Sequence, residues 1–151
     1  DVPATSGSRL KAKYYKGEDG SRQFAGWHDS KRGEDCGFQA AGDGKTRCLP
    51  SATLTVYFSD PTCETPVMVG PVDCAAGVKY LRSYHTGACQ TIEYGGMFAL
   101  GSTFEAENIY FYSSPGVCTI QPVKNFGKVT LYSTGKEIKP SEFVAATLET
   151  E

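Results

Sequence analysis

Histidine and closely spaced cysteine pairs are scarce in this chain. It has two histidines, His28 and His85, and no Cys-x-x-Cys, whereas zinc sites draw their ligands in tight pairs, so the pattern weighs against a metal centre and no cofactor is expected. Long apolar runs are also missing: nothing approaches the ~18 residues that a membrane-spanning helix requires. Gly-x-Ser-x-Gly, P-loop and His-Glu-x-x-His motifs are absent, which removes the familiar hydrolase, nucleotide-binding and metalloprotease signatures. An excess of positive charge is missing too. Lysine plus arginine total 15 against 17 acidic residues, a net charge of −2, and the signs are interspersed. A phosphate backbone gains little from such a surface, and nucleic acid is not an expected partner. Helical periodicity is lacking apart from one short turn at 140–146.

What the chain does have is cysteine in even number: Cys36, Cys48, Cys63, Cys74, Cys89 and Cys118. Three disulfides in an oxidising compartment are the expectation. Loop size suggests Cys36–Cys48 and Cys63–Cys74, which close short hairpin-sized loops, and leaves Cys89–Cys118 by elimination. The chain begins at Asp1 without a hydrophobic leader, as a mature form does once its export signal is removed. Residues 1–8 are small and polar, a flexible linker of the kind that suits a lipid anchor outside this chain, and 9–151 reads as a single disulfide-rich β domain.

Period-two alternation dominates that domain. Strands are expected at 9–15, 22–27, 36–39, 46–49, 52–59, 65–69, 78–83, 89–94, 97–100, 108–112, 118–121, 128–132 and 143–147. Gly/Asp/Pro-rich turns punctuate them about every eight to twelve residues. TVYFSDPTCETPV and NIYFYSSPGVCTIQPV share one plan: a β-branched residue, Tyr-Phe, a Ser/Pro turn, Cys and Pro-Val. Cys36, Cys63, Cys89 and Cys118, separated by 27, 26 and 29 residues, each follow an aromatic strand and a turn. The fold class expected is all-β: repeated hairpin units in a small propeller-like disc or a sandwich or barrel, stapled by disulfides.

The run Ser8-Arg-Leu-Lys-Ala-Lys-Tyr-Tyr15, followed by Gly20–Phe24, Gly26-Trp-His-Asp29, Asp35-Cys-Gly-Phe38 and Arg47-Cys-Leu-Pro50, resembles a family of secreted cysteine-rich proteins of myxobacteria and their relatives, many of them predicted lipoproteins. The resemblance runs on through Tyr57-Phe58 and Cys63 to Leu131-Tyr132 and Phe143-Val144. It implies export to a bacterial envelope and brings no activity and no site residues with it.

Candidate chemistry is sparse. His28-Asp29 beside Trp27 has the composition of a base and its orienting carboxylate, but strand neighbours point to opposite faces, and an exposed strand end beside a core Trp27 is the preferred reading. His85 sits in a turn-rich stretch and reads as an exposed loop histidine. Glu18-Asp19-Gly20 and Asp43-Gly44 offer oxygens to calcium but read first as hairpin turns. Glu93, or Glu105 with Glu107, are the carboxylates a small glycoside hydrolase would need.

Aromatics carry the stronger signal. They make up 12% of the chain and occur side by side at Tyr14-Tyr15, Tyr57-Phe58 and Tyr110-Phe111-Tyr112. Alternation turns one member of each pair outward unless cross-strand aromatic pairing absorbs both. The leading expectation is an exported, non-enzymatic β-domain that binds a glycan or a surface protein through Tyr15, Trp27, Tyr57, Tyr84 and Tyr112. The alternatives are a structural subunit of a surface layer or filament, joined by strand edges, and the carboxylate hydrolase.

Overall fold

The computed structural model describes residues 4–71 and 77–150. It is all-β, with strands β1 (Leu10–Lys16), β2 (Arg22–Asp29), β3 (Glu34–Ala40), β4 (Thr46–Leu49), β5 (Thr53–Thr55), β6 (Tyr57–Phe58), β7 (Pro66–Pro71), β8 (Tyr80–Thr86), β9 (Ile92–Phe104), β10 (Asn108–Ser114), β11 (Val117–Pro122), β12 (Val129–Ile138) and β13 (Ala145–Ala146). The expected turn at 140–146 is a single 3₁₀ turn, Pro140–Glu142. No described helix is long and apolar enough to cross a membrane.

Contacts cluster into two compact units within the span read from sequence as one domain: Asp1–Ser51 with Ser141–Glu151, and Ala52–Pro140. The smaller unit is a five-stranded sheet in the order β1-β2-β3-β4-β13. Its hairpins follow the sequence plan. Gly17-Glu-Asp-Gly20 closes β1 on β2, with the Gly20 N–H donating to Gly17 O (3.0 Å) and Gly20 taking a left-handed φ of +89°, which glycine adopts without steric cost. Asp19 caps this turn by accepting from Ser21, and Asp43 accepts from Lys45 N and Arg47 in the next one. Both Asp-Gly sites are therefore turns. Among the described residues no group of three or more His, Cys, Asp or Glu side chains is arranged to hold a metal.

Phe143, Leu49, Leu10 and Cys48 form the buried side of this unit. Burying side chains such as Phe143 and Leu49 stabilises by roughly 2–3 kcal/mol each. The C-terminal segment is fastened by polar contacts as well. Cys48 N donates to Val144 O (2.9 Å) and Arg47 Nη1 to Phe143 O (2.7 Å). Arg9 Nη2 donates to Glu142 O (2.6 Å).

The larger unit is an eight-stranded sheet in the order β11-β10-β6-β7-β12-β9-β8-β5. Val67, Ile109 and Leu131 form its buried centre, with Tyr57, Val69, Phe104 and Phe126 packed against them. The sheet bends back on itself. Thr55 Oγ1 on β5 donates to Val67 O on β7 (2.6 Å), and His85 on β8 meets Tyr112 on β10, although several strands separate them in sheet order.

All four expected cysteine-bearing hairpins are present, as the antiparallel pairs β2–β3, β6–β7, β8–β9 and β10–β11. They are distributed over both sheets. Cys36 and Cys118 lie in the return strands, Cys63 and Cys89 in turns. Several strand limits differ from the sequence reading, and the expected 128–132 strand runs on to Ile138. The 52–59 segment is two short strands, the 89–94 and 97–100 segments belong to one thirteen-residue strand that starts at Ile92, and 143–147 contracts to Ala145–Ala146. Gly95-Gly96, which reads as a break, is a bulge inside β9: Arg82 pairs with Met97 and Tyr84 with Tyr94, so one extra residue of β9 is accommodated there.

The disulfides need one correction. Cys36–Cys48 forms as expected, with Cα atoms 5.2 Å apart. Cys63 bonds to Cys118, with Cα atoms 5.8 Å apart, which overturns both Cys63–Cys74 and Cys89–Cys118. The reason is strand order. β6 pairs with β10, so Tyr110 faces Phe58, and the turn after β6 comes to the end of the β10–β11 hairpin where Tyr112 faces Cys118. Cys89 is exposed and unbonded among the described residues, and Cys74 lies outside them.

Candidate functional site

The five aromatic candidates separate. Tyr15 and Trp27 belong to the smaller unit; Tyr57, Tyr84 and Tyr112 belong to the larger. Tyr15 is 72% exposed, on the opposite side of β1 from Tyr14, as alternation requires. Trp27 is half-buried instead of forming the core. It stands in a row of edge-to-face rings, Tyr14–Phe24–Trp27–Phe38, with centroids 5.9, 5.2 and 6.0 Å apart. The Arg22 guanidinium lies 4.4 Å from the Tyr14 centroid.

A bulge makes this row. Lys13 pairs with Gly26 and Tyr14 with Phe24, leaving Ala25 as the extra residue, so Phe24 and Trp27 share a face that strict alternation would deny them. Gly26 holds φ +139°, and a Cβ there meets nothing within 4 Å. The whole cost of a side chain at this position is therefore backbone strain. Gly26→Ala is expected to destabilise the smaller unit by about 1–3 kcal/mol, read as a lower urea midpoint in Trp27 emission.

His28 and Asp29 do not act together. Asp29 is 1% exposed and faces Arg9, whose Nε and Nη2 donate to its two oxygens at 2.8 and 2.7 Å. His28 points the other way, its Nδ1 2.8 Å from Asp35 Oδ1 across the strand pair, and Lys13 also pairs with Asp35. Hydrogen bonds from Lys13, and then from His28, hold the Asp35 carboxyl below the ordinary range. This is an exposed ion pair of small energetic weight.

In the larger unit Tyr57 and Tyr84 line an aliphatic cleft of about 350 Å³ with Met68 and Val69. Glu105 and Glu107 line a wider one of about 750 Å³ floored by Phe104, Val129 and Leu131. Glu93 is not with them. It lines a third cleft, of about 370 Å³, together with Ser83, His85, Tyr94, Tyr112, Glu64 and Glu137, and here the side chains are organised. His85 is not a loop residue: it lies near the end of β8, directly opposite Glu93 on β9. Its Nε2 is 2.9 Å from Glu93 Oε2. The imidazole stacks on the Tyr112 ring, with centroids 4.5 Å apart and planes tilted by 33°. Phe58 braces the other edge of Tyr112 at 5.7 Å.

The floor of this third cleft is the Gly95-Gly96 bulge. An added Cβ on Gly95 would come 2.0 Å from Ser83 Oγ, and one on Gly96 3.1 Å from Glu137 Oε1, so the glycines make room for those two polar groups. Behind the floor, buried Arg82 donates from Nε to Gly95 O (3.3 Å) and lays its guanidinium 4.5 Å from the Tyr94 centroid. Burial lowers the pKa of Arg82 from its ordinary value, and Tyr94 opposes this. At the cleft rim Asp60 accepts from Glu64 N and Thr65 N, fixing the turn that carries Cys63 and Glu64. Sequence reasoning named Tyr112 and Glu93 but missed Ser83, Tyr94 and Glu137. A Gly-Gly doublet inside an alternating strand was the available signal.

Residues 1–147 match the model of a protein family described as a family of unknown function, DUF7481. No curated protein matches the chain, and no solved structure does.

Proposed function

For this chain, which belongs to DUF7481, we propose an exported, non-enzymatic β-protein of the cell envelope that binds an extracellular glycan in the His85–Tyr112 cleft. The observation that carries this reading is the stack of His85 on Tyr112 beside carboxylates in one concavity. A sugar ring presents an apolar C–H face and a rim of hydroxyls; aromatic faces cover the first and carboxylates accept strong hydrogen bonds from the second. The size falls in the range of small-ligand clefts, and the disulfides suit an oxidising exterior. Titration against envelope polysaccharides and a glycan array tests the reading. Tyr112→Ala is expected to weaken binding about tenfold, the loss of about 1.4 kcal/mol of ring contact. Failure of the wild-type protein to bind any sugar contradicts it.

A carboxylate hydrolase is the second reading, because Glu105 and Glu107 share the widest of these clefts. It stands only on polysaccharide hydrolysis that Glu105→Gln and Glu107→Gln abolish. Filament assembly through β1 is opposed by Lys11, Lys13 and Lys16 along that edge, which deter strand-to-strand addition; a species that grows with concentration in size exclusion would restore it.

A further inference from the structure

We propose that the sugar taken by the His85–Tyr112 cleft carries a free amine: a protonated amino sugar, not its N-acetylated or neutral counterpart. This rests on the glycan reading above and adds the charge of the ligand. Three carboxylates, Glu64, Glu93 and Glu137, line the cleft against one imidazole, and neither lysine nor arginine is among its described lining residues. The guanidinium of Arg82 is packed behind the floor against Tyr94. The carboxylates arrive from three separate places, the β6–β7 turn, β9 and β12, and surround a common volume. An ammonium placed there exchanges water for carboxylate oxygens, whereas an acetamide leaves them without a partner cation.

A second observation points to a polar occupant. Ser83 is 6% exposed, lines the cleft, and its hydroxyl, seated over Gly95, has no hydrogen-bond partner among the described residues. No buried side-chain oxygen or nitrogen among the described residues is left unsatisfied, so this hydroxyl is not sealed off: it opens onto the cleft whose walls carry the ring stack. A ligand hydroxyl or ammonium completes it, and a purely apolar guest does not. Ring faces, a hydroxyl open to the cleft and three carboxylates lining it together define a site for a group that is flat on one side, hydroxylated and cationic.

The test is calorimetric titration of the whole chain with glucosamine hexamer, N-acetylglucosamine hexamer, cellohexaose and hexalysine at low and raised salt. The glucosamine hexamer is expected to bind at least tenfold tighter than either uncharged hexamer and tighter than hexalysine, and to weaken as salt rises. Glu93→Gln and Glu137→Gln, both on exposed positions, are each expected to reduce that affinity about fivefold or more, while Glu149→Gln, the same charge change in the C-terminal segment, leaves it unchanged. Ser83→Ala is expected to weaken the glucosamine hexamer and leave hexalysine unaffected. Equal binding of the acetylated or neutral hexamer overturns the amine assignment while the glycan reading survives. Hexalysine binding as tightly as the glucosamine hexamer overturns it in favour of charge alone. Binding by none of the four overturns both.

Discussion

Removing the Cys63–Cys118 disulfide, as Cys63→Ala with Cys118→Ala, is expected to lower the stability of the larger unit by about 4 kcal/mol, the loop-closure entropy of a bridge of this span. The two cysteines are 55 residues apart in sequence, so the reduced unfolded chain regains more freedom than it does at Cys36–Cys48, where the separation is 12 and the corresponding loss is about 3 kcal/mol. The native side of the balance is local. The bridge joins the turn after β6 to the β10–β11 hairpin, and Phe58 and Tyr112 pack beside it. A unit of this size should lose on the order of 20 °C in thermal midpoint. Scanning calorimetry with near-ultraviolet dichroism of the tyrosines measures it, and a loss of stability in kcal/mol smaller than that of the Cys36–Cys48 double variant, compared as free energy because the two units differ in size, would reject the long-loop account. Because Tyr112 stands beside the bridge, the same variant is also expected to bind glycan more weakly.

The other large effect belongs to the smaller unit. Asp29→Ala is expected to cost about 3–5 kcal/mol, as when one partner of a buried ion pair is removed. Four donors converge on that carboxylate: two from Arg9 and the backbone N–H groups of Lys31 (3.0 Å) and Arg32 (3.2 Å). Arg9 in turn holds the C-terminal segment through Glu142 O, so losing Asp29 loosens both ends of the unit. The hydrogen bonds from Arg9 depress the Asp29 pKa below its usual 3.8; burial opposes them and the backbone donors add to them. A carboxyl depressed on folding contributes stability that is fully present above its unfolded pKa and is lost as pH falls through the folded one. The smaller unit should therefore weaken progressively below about pH 4, and Asp29→Ala should flatten that dependence. Trp27, the one tryptophan of the chain, lies in this unit and reports it selectively. An unchanged acid profile in the variant would show that Asp29 does not carry the effect.

Legibility in the sequence followed range. Alternation and Gly/Asp turns are local, and they announced the all-β class, the β1–β2 turn and the Cys36–Cys48 bridge across neighbouring strands. Cys63–Cys118 depends on β6 pairing with β10, a choice made by the packing of Val67, Ile109 and Leu131 and invisible to loop length. His28-Asp29 shows the same limit. Alternation separated the two residues correctly, but their partners, Asp35 and Arg9, are set by strand register. The candidate site was half legible. Tyr112 and Glu93 stand out as aromatic and acidic residues, whereas Ser83, Gly95 and Glu137 matter only because a bulge in β9 places a hydroxyl and a carboxylate over two glycines. Phe24 and Trp27, three apart, are kept on one face by a second bulge that a period-two reading cannot see.

The central claim is that the His85–Tyr112 cleft is the ligand site. Amide chemical-shift mapping during titration with the glucosamine hexamer tests it most directly. The account predicts perturbations concentrated at Ser83, His85, Glu93 to Gly96, Tyr112 and Glu137, saturating together. Perturbations confined to the Tyr14–Phe38 ring row, or to Glu105 and Glu107, would contradict it.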